Sequence, residues 1–137
     1  MTQRIILDCD TGIDDTVALM YLFGSLGVEI LGVVGTFGNV TEDQATRNNR
    51  TLLDAAGLAR VPAYHGEPVP SFEKTLSEYE VDEGCERFHG RNGWGGAQLE
   101  LPAHVERGDI LEGGVEFEAR IVEELGSKVT VIATGPL

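Results

Sequence analysis

Residues 4–18 read Arg4-Ile5-Ile6-Leu7-Asp8-Cys9-Asp10-Thr11-Gly12-Ile13-Asp14-Asp15-Thr16-Val17-Ala18. The apolar, β-branched start is the pattern of a strand buried on both faces, and it stops at a polar turn. Beyond the turn, Val17, Ala18, Met20, Tyr21 and Leu22 suit a helix over Asp14–Leu26 packed on a sheet, ended by Gly24 and Gly27. A second apolar strand follows over Glu29–Thr36. Thr41 then has the character of an N-cap, with Glu42 and Asp43 in the first turn of a helix reaching Ala56. A short strand is expected near Val61–Tyr64. Strand, helix, strand, helix, strand with short connections implies a parallel sheet with right-handed crossovers.

From about 66 to 108 the periodicity dissolves into a glycine- and proline-containing stretch, which reads as a functional loop region. A helix is expected over Val115–Leu125 and a strand over Lys128–Ala133. The fold class is therefore α/β: an open, mainly parallel Rossmann-like sheet with helices on both faces. Thr134-Gly135-Pro136 is a strand-to-helix turn with Pro at a first helical position, and no helix follows it. The chain thus reads as truncated, with residues 1–137 the N-terminal part of a single α/β domain.

A folded chain of 137 residues buries about two thirds of its surface, enough for one core and one domain. The net charge of −13 opposes binding to nucleic acid or to an anionic membrane. A cation or a neutral small molecule is the easier partner. No apolar stretch is long enough to span a bilayer, and the N-terminus lacks a signal-peptide core, so a cytoplasmic location is expected. Cys9 and Cys85 make no disulfide framework, and Cys9, at the end of an apolar run, is expected to be buried and inert.

Asp8, Asp10, Asp14 and Asp15 lie within eight residues at the carboxyl end of the first strand, where open α/β sheets bind ligands. Carboxylates this close repel unless a cation holds them, and clustered oxygen donors suit Ca²⁺ or Mg²⁺. Helix capping alone accounts for Asp14 and Asp15 but not for Asp8 and Asp10. An EF-hand loop starting at Asp8 would need Gly at Ile13 and Glu at Leu19, so it fails. A haloacid-dehalogenase-like phosphohydrolase has an Asp-x-Asp strand end, matched by Asp8 and Asp10, and a later strand ending in Thr, as Thr134 does. It leaves Asp14-Asp15 unexplained.

The stretch Ile5–Ala18 resembles the N-terminal signature of the inosine-uridine-preferring nucleoside hydrolases. Three further stretches agree in order and spacing. Thr36-Phe37-Gly38-Asn39-Val40 is similar to that family's Gly-Asn-Val loop. Phe88-His89-Gly90-Arg91-Asn92-Gly93-Trp94-Gly95-Gly96 is similar to its His-Gly-x-Asp-Gly-x-Gly-Gly loop, with Asn92 in place of Asp. Val131–Leu137 is similar to its central strand and turn.

The resemblance implies hydrolysis of the N-glycosidic bond of a ribonucleoside to ribose and free base, in purine or pyrimidine salvage, with Ca²⁺ as cofactor. It makes Asp10, Asp15 and the Thr134 carbonyl metal ligands, and Asp10 the base that activates water. Asp14, Asn39 and His89 become substrate-binding residues, and Asp8 a carboxylate that orients the loop. It further implies a homo-oligomer, a dimer or tetramer. Trp94 either stacks on a base or covers the sheet edge, and His65 and His104 read as structural or exposed. Family chains are roughly twice this length, so half the expected site is absent and the 137 residues alone are expected to have little activity. The alternative is a non-catalytic remnant that binds metal or a partner.

Overall fold

The computed structural model describes residues 2–72 and 78–136. Five strands form one parallel sheet: β1 (Gln3–Cys9), β2 (Val28–Gly35), β3 (Ala63–His65), β4 (Ile110–Leu111) and β5 (Val129–Ala133). Four α-helices join them: α1 (Ile13–Phe23), α2 (Glu42–Ala55), α3 (Glu83–His89) and α4 (Gly114–Leu125). The strand order is β4-β3-β2-β1-β5. The chain first winds outward from β1 through β2 and β3 to β4, then α4 carries it back to the far side of β1. The winding direction therefore reverses between β1 and β5, and the carboxyl ends of those two strands flank a topological switch point.

Alternation along β1 divides the core between the two faces of the sheet. Ile5, Leu7 and Cys9 pack with Leu19 of α1, Leu52 and Leu53 of α2, Val33 and Ala63. Ile6 faces the other way and packs with Val34 and Phe117 of α4. Helices thus cover both faces, and a period of two sends Asp8 to the side of Ile6 and α4.

Thr41 caps α2 as expected, its hydroxyl accepting the Gln44 N–H at 3.4 Å. The buried side of α1 differs from the reading above. Val17, Met20 and Tyr21 are exposed, whereas Asp15 and Leu19 are buried and Leu22 and Phe23 pack against the core. Asp15, Leu19, Leu22 and Phe23 follow the helical spacing i, i+4, i+7, i+8, so the inward stripe includes a carboxylate that hydropathy alone discounts. The stretch from 66 to 108 also holds more order than its composition suggested. It contains α3, capped by Asp82, whose carboxylate accepts the Gly84 N–H at 2.8 Å; residues 73–77 of it lie outside the described residues. The two-residue β4 gives too little periodicity to be read from sequence. Among the described residues no helix is long and apolar enough to cross a membrane.

Candidate functional site

The turn between β1 and α1 must bring a strand end and a helix start together within three residues, and its carboxylates do part of that work. Asp15, in the first turn of α1, accepts the Gly12 N–H on Oδ2 at 3.1 Å, which ties the helix start to the residue before it. The same Oδ2 takes the Asn39 side-chain amide at 3.4 Å. Asp10 accepts the Asn39 backbone N–H on its own Oδ2 at 2.7 Å. Asn39, from the loop after β2, therefore touches both acids. Asp10 and Asp15 are 5 % and 4 % exposed. Asp10 Oδ1 is buried with no hydrogen-bond partner among the described residues. Burial pushes the Asp10 carboxyl up to about 6, opposed by the Asn39 N–H and reinforced by the charge of Asp15.

From the other side of the switch point, the Thr134 N–H donates to the Asp8 carbonyl at 2.9 Å and extends the β1–β5 pairing by one bond. A Cβ on Gly135 would lie 3.3 Å from the Asp10 backbone nitrogen, so this turn lies close against the acidic loop. Asp14 is exposed. Cys9 is buried and its thiol is pushed far above the usual range, first by burial and then by the carboxylates around it. That fits the inert role expected of it.

His89 is not the exposed loop residue that its glycine neighbours suggest. It is the last residue of α3 and is 7 % exposed. Its Nδ1 accepts the Ile13 N–H at 3.1 Å, one of the unpaired donors at the start of α1, and lies 3.8 Å from Asp14 Oδ1. Nδ1 is thus the acceptor, which leaves the ring proton on Nε2. The ring fits there because residue 12 is Gly: a Cβ would sit 2.4 Å from His89 Nδ1. Phe88, edge-on to His89, is exposed. Asp8 takes a different position from the loop-orienting one expected of it. Its Oδ1 is buried on the α4 side, as is Glu118 Oε1, and among the described residues neither has a hydrogen-bond partner. Both residues line a cavity of about 190 Å³ with Val34, Phe37 and Val115.

A family model described as inosine-uridine preferring nucleoside hydrolase matches residues 5–137. The chain belongs to this family. It is 35 % identical over 137 residues to uridine nucleosidase 1 of Arabidopsis thaliana, covering 98 % of this chain and 38 % of that protein. It is 35 % identical over 95 residues to the inosine-uridine preferring nucleoside hydrolase of Crithidia fasciculata, covering 69 % of this chain and 28 % of that protein. Among solved structures, the purine-preferring ribonucleoside hydrolase from Gardnerella vaginalis superposes with a TM-score of 0.82 at 35 % identity, covering 98 % of this chain and 40 % of that one. The chain therefore spans well under half the length of these relatives. The match displaces the phosphohydrolase alternative, whose only support was Asp8, Asp10 and Thr134.

Within this nucleoside hydrolase chain, the acidic loop is braced by residues that the motifs do not single out. Thr11 is fully buried and donates its hydroxyl to Asn49 Oδ1. Asn48, from α2, donates to the Thr11 carbonyl at 3.0 Å and to the Asn92 carbonyl at 2.9 Å. Trp94 donates its indole N–H to Thr16 Oγ1 at 2.9 Å and packs against the core, so it covers the scaffold. Polar residues on the inward face of α2 were the available signal: Thr46, Asn48 and Asn49 interrupt its apolar stripe yet are buried. His65, at the end of β3, contacts Glu42 through Nδ1 at 2.9 Å, in line with a structural role.

The donor set fits a hard divalent cation. Two buried carboxylates share one loop, one of them holds an unpartnered oxygen, and the Thr134 turn adjoins them. Among the described residues, no third His, Cys, Asp or Glu side chain joins these two in a cluster.

Proposed function

We propose that the protein carrying this chain hydrolyses the N-glycosidic bond of a ribonucleoside, releasing ribose and free base. The observation that carries this reading is the Asp10–Asp15 pair at the switch point of a nucleoside hydrolase chain, with Asp10 Oδ1 buried and unpartnered. Asp10, Asp15 and the Thr134 carbonyl would hold Ca²⁺. When bound, the ion supplies positive charge that anchors ribose hydroxyls and makes water a stronger acid.

The chain's own residues do the rest. Asp10 accepts a proton from the attacking water as the water oxygen bonds to C1′ of the ribose. The electron pair of the C1′–N bond leaves with the base, which takes up a proton. Positive charge develops on the sugar in an oxocarbenium-like transition state, and the carboxylates of the loop favour it. Asp14, exposed at the start of α1, and Asn39 would accept and donate hydrogen bonds to ribose hydroxyls, and His89 would be a further substrate contact. The cytoplasm and a dimer or tetramer remain part of this reading.

Release of free base from inosine and from uridine tests it, with Asp10→Ala as the control. Turnover by the parent protein and a loss of about 10²–10⁴-fold in the variant is the expected result. Calcium binding without turnover would replace this reading with the non-catalytic alternative.

A further inference from the structure

The site proposed above is assembled from two loops distant in sequence. The acidic turn with the start of α1 (residues 10–15) follows β1, and the glycine-rich loop (residues 90–96) follows α3. Neither is long enough in regular structure to fix the other. Besides the Trp94–Thr16 bond, a buried side chain hydrogen-bonds the backbone of both. Asn48 of α2 is 1 % exposed. Its single amide nitrogen donates to the Thr11 carbonyl at 3.0 Å and to the Asn92 carbonyl at 2.9 Å. Two carbonyls can only accept, so that end of the carboxamide is the nitrogen, and its oxygen accepts from Gln44 Nε2 at 2.9 Å.

The surroundings leave this amide little freedom. Gly93 packs against it from the glycine-rich loop: a Cβ there would sit 2.7 Å from both Asn48 Nδ2 and the Thr11 carbonyl, and its φ of +78° is one that L side chains rarely adopt. Beyond this clamp the glycine-rich loop folds on itself. Asn92 Oδ1 accepts the Trp94 and Gly96 N–H groups at 3.1 and 3.0 Å, and the Gly95 N–H returns to the His89 carbonyl at 2.6 Å. The loop is therefore a compact unit, and a pin at Asn92 is relayed to His89. The other end of the pin is the Thr11 carbonyl, midway between Asp10 and Gly12.

We propose that Asn48 is a positioning residue: its amide sets the spacing between the two loops, and thereby seats His89 on the N-terminus of α1 beside Asp14 and the acidic pair. Its consequence for turnover rests on the hydrolase reading; its effect on His89 does not. Sequence spacing alone hides this role, because Asn48 lies mid-helix in neither loop.

The test is made on the full protein with Asn48→Asp, which keeps the size but turns a carboxylate toward two carbonyls, and with Asn48→Ala as the milder change should the first fail to fold. ¹⁵N imidazole spectra follow His89, His65 and His104, each assigned by the resonance lost in its own His→Asn variant. In the parent the His89 resonance should report an Nε2–H tautomer with Nδ1 accepting. In a variant that still melts cooperatively, it should shift toward a mixed tautomer while His65 and His104 stay in place. Hydrolysis should show at least a tenfold loss in kcat/KM. An unmoved His89 resonance in a folded variant overturns the proposal, as does a lowered melting temperature with kcat/KM unchanged. If the parent shows no turnover, the hydrolase reading fails, and the imidazole spectrum alone decides the role of Asn48.

Discussion

Two pairs of carboxylates flank the carboxyl end of β1 and are treated by the fold in opposite ways. Asp10 and Asp15 face the loop and are met by donors: the Asn39 N–H, the Asn39 amide and the Gly12 N–H. Asp8 and Glu118 line one cavity on the other face of the sheet, beside Val34 and Val115, each with a buried oxygen that has no hydrogen-bond partner among the described residues. Burial alone pushes the Asp8 carboxyl up to about 6. Burial, helped by the Asp8 charge, pushes Glu118 up to about 7. The difference lies in the supply of backbone and amide donors, not in the count of acids. Burial raises the Asp10 carboxyl to about 6 as it does Asp8, even against the Asn39 N–H, so the donors distinguish the pairs by holding the Asp10 and Asp15 carboxylates in place.

Breaking the first pair should have the largest effect. Asp15→Asn removes a charge that Asn39 and Gly12 both address, and it should lower the rate of base release by about 10²-fold or more. Steady-state kinetics on inosine and uridine would check it; a change under threefold would place the chemistry elsewhere.

A smaller effect is expected where the loop is braced. Gly12→Ala drives a methyl into the His89 ring, whose Nδ1 would lie 2.4 Å away. Thermal melting should record a loss of about 1–3 kcal/mol, the usual cost of overpacking. Restoration of most of that loss by combining Gly12→Ala with His89→Ala would locate the clash in that ring.

The smallest effect concerns the second pair. The raised Glu118 carboxyl binds a proton more tightly folded than unfolded, so between about pH 4.5 and 7 stability falls as pH rises. Glu118→Gln should therefore raise stability at pH 8 by about 1 kcal/mol, after allowing for solvent screening of a half-buried group, and leave it nearly unchanged near pH 4. Equal gains at both pH values would mean that packing, not charge, separates the variants.

The sequence made Asp10, Asp15 and Asp8 equally visible and Glu118 not at all. Period-two alternation does predict that Asp8 and Asp10 differ in facing from their odd-numbered neighbours. It cannot show that β1 ends at Cys9 and that Asp10 turns back toward Asn39. The β1–α1–β2–α2 frame was legible because apolar runs, caps and glycines agreed with one another. The inner stripe of α1 was not, since its first member is Asp15. The seat of His89 was hidden by α3, seven residues long in an irregular stretch. Asn48 was hidden because a buried Asn on a helix looks like a surface residue until its carbonyl partners are placed.

Calcium titration by calorimetry addresses the contrast between the two pairs most directly, on metal-stripped full protein and on Asp10→Asn and Asp8→Asn. The Asp10 variant should bind about tenfold or more weakly, because it loses a ligand charge, while the Asp8 variant should match the parent within about twofold. Weakened binding in Asp8→Asn with Asp10→Asn unaffected would contradict the account and move the cation to the α4 face of the sheet.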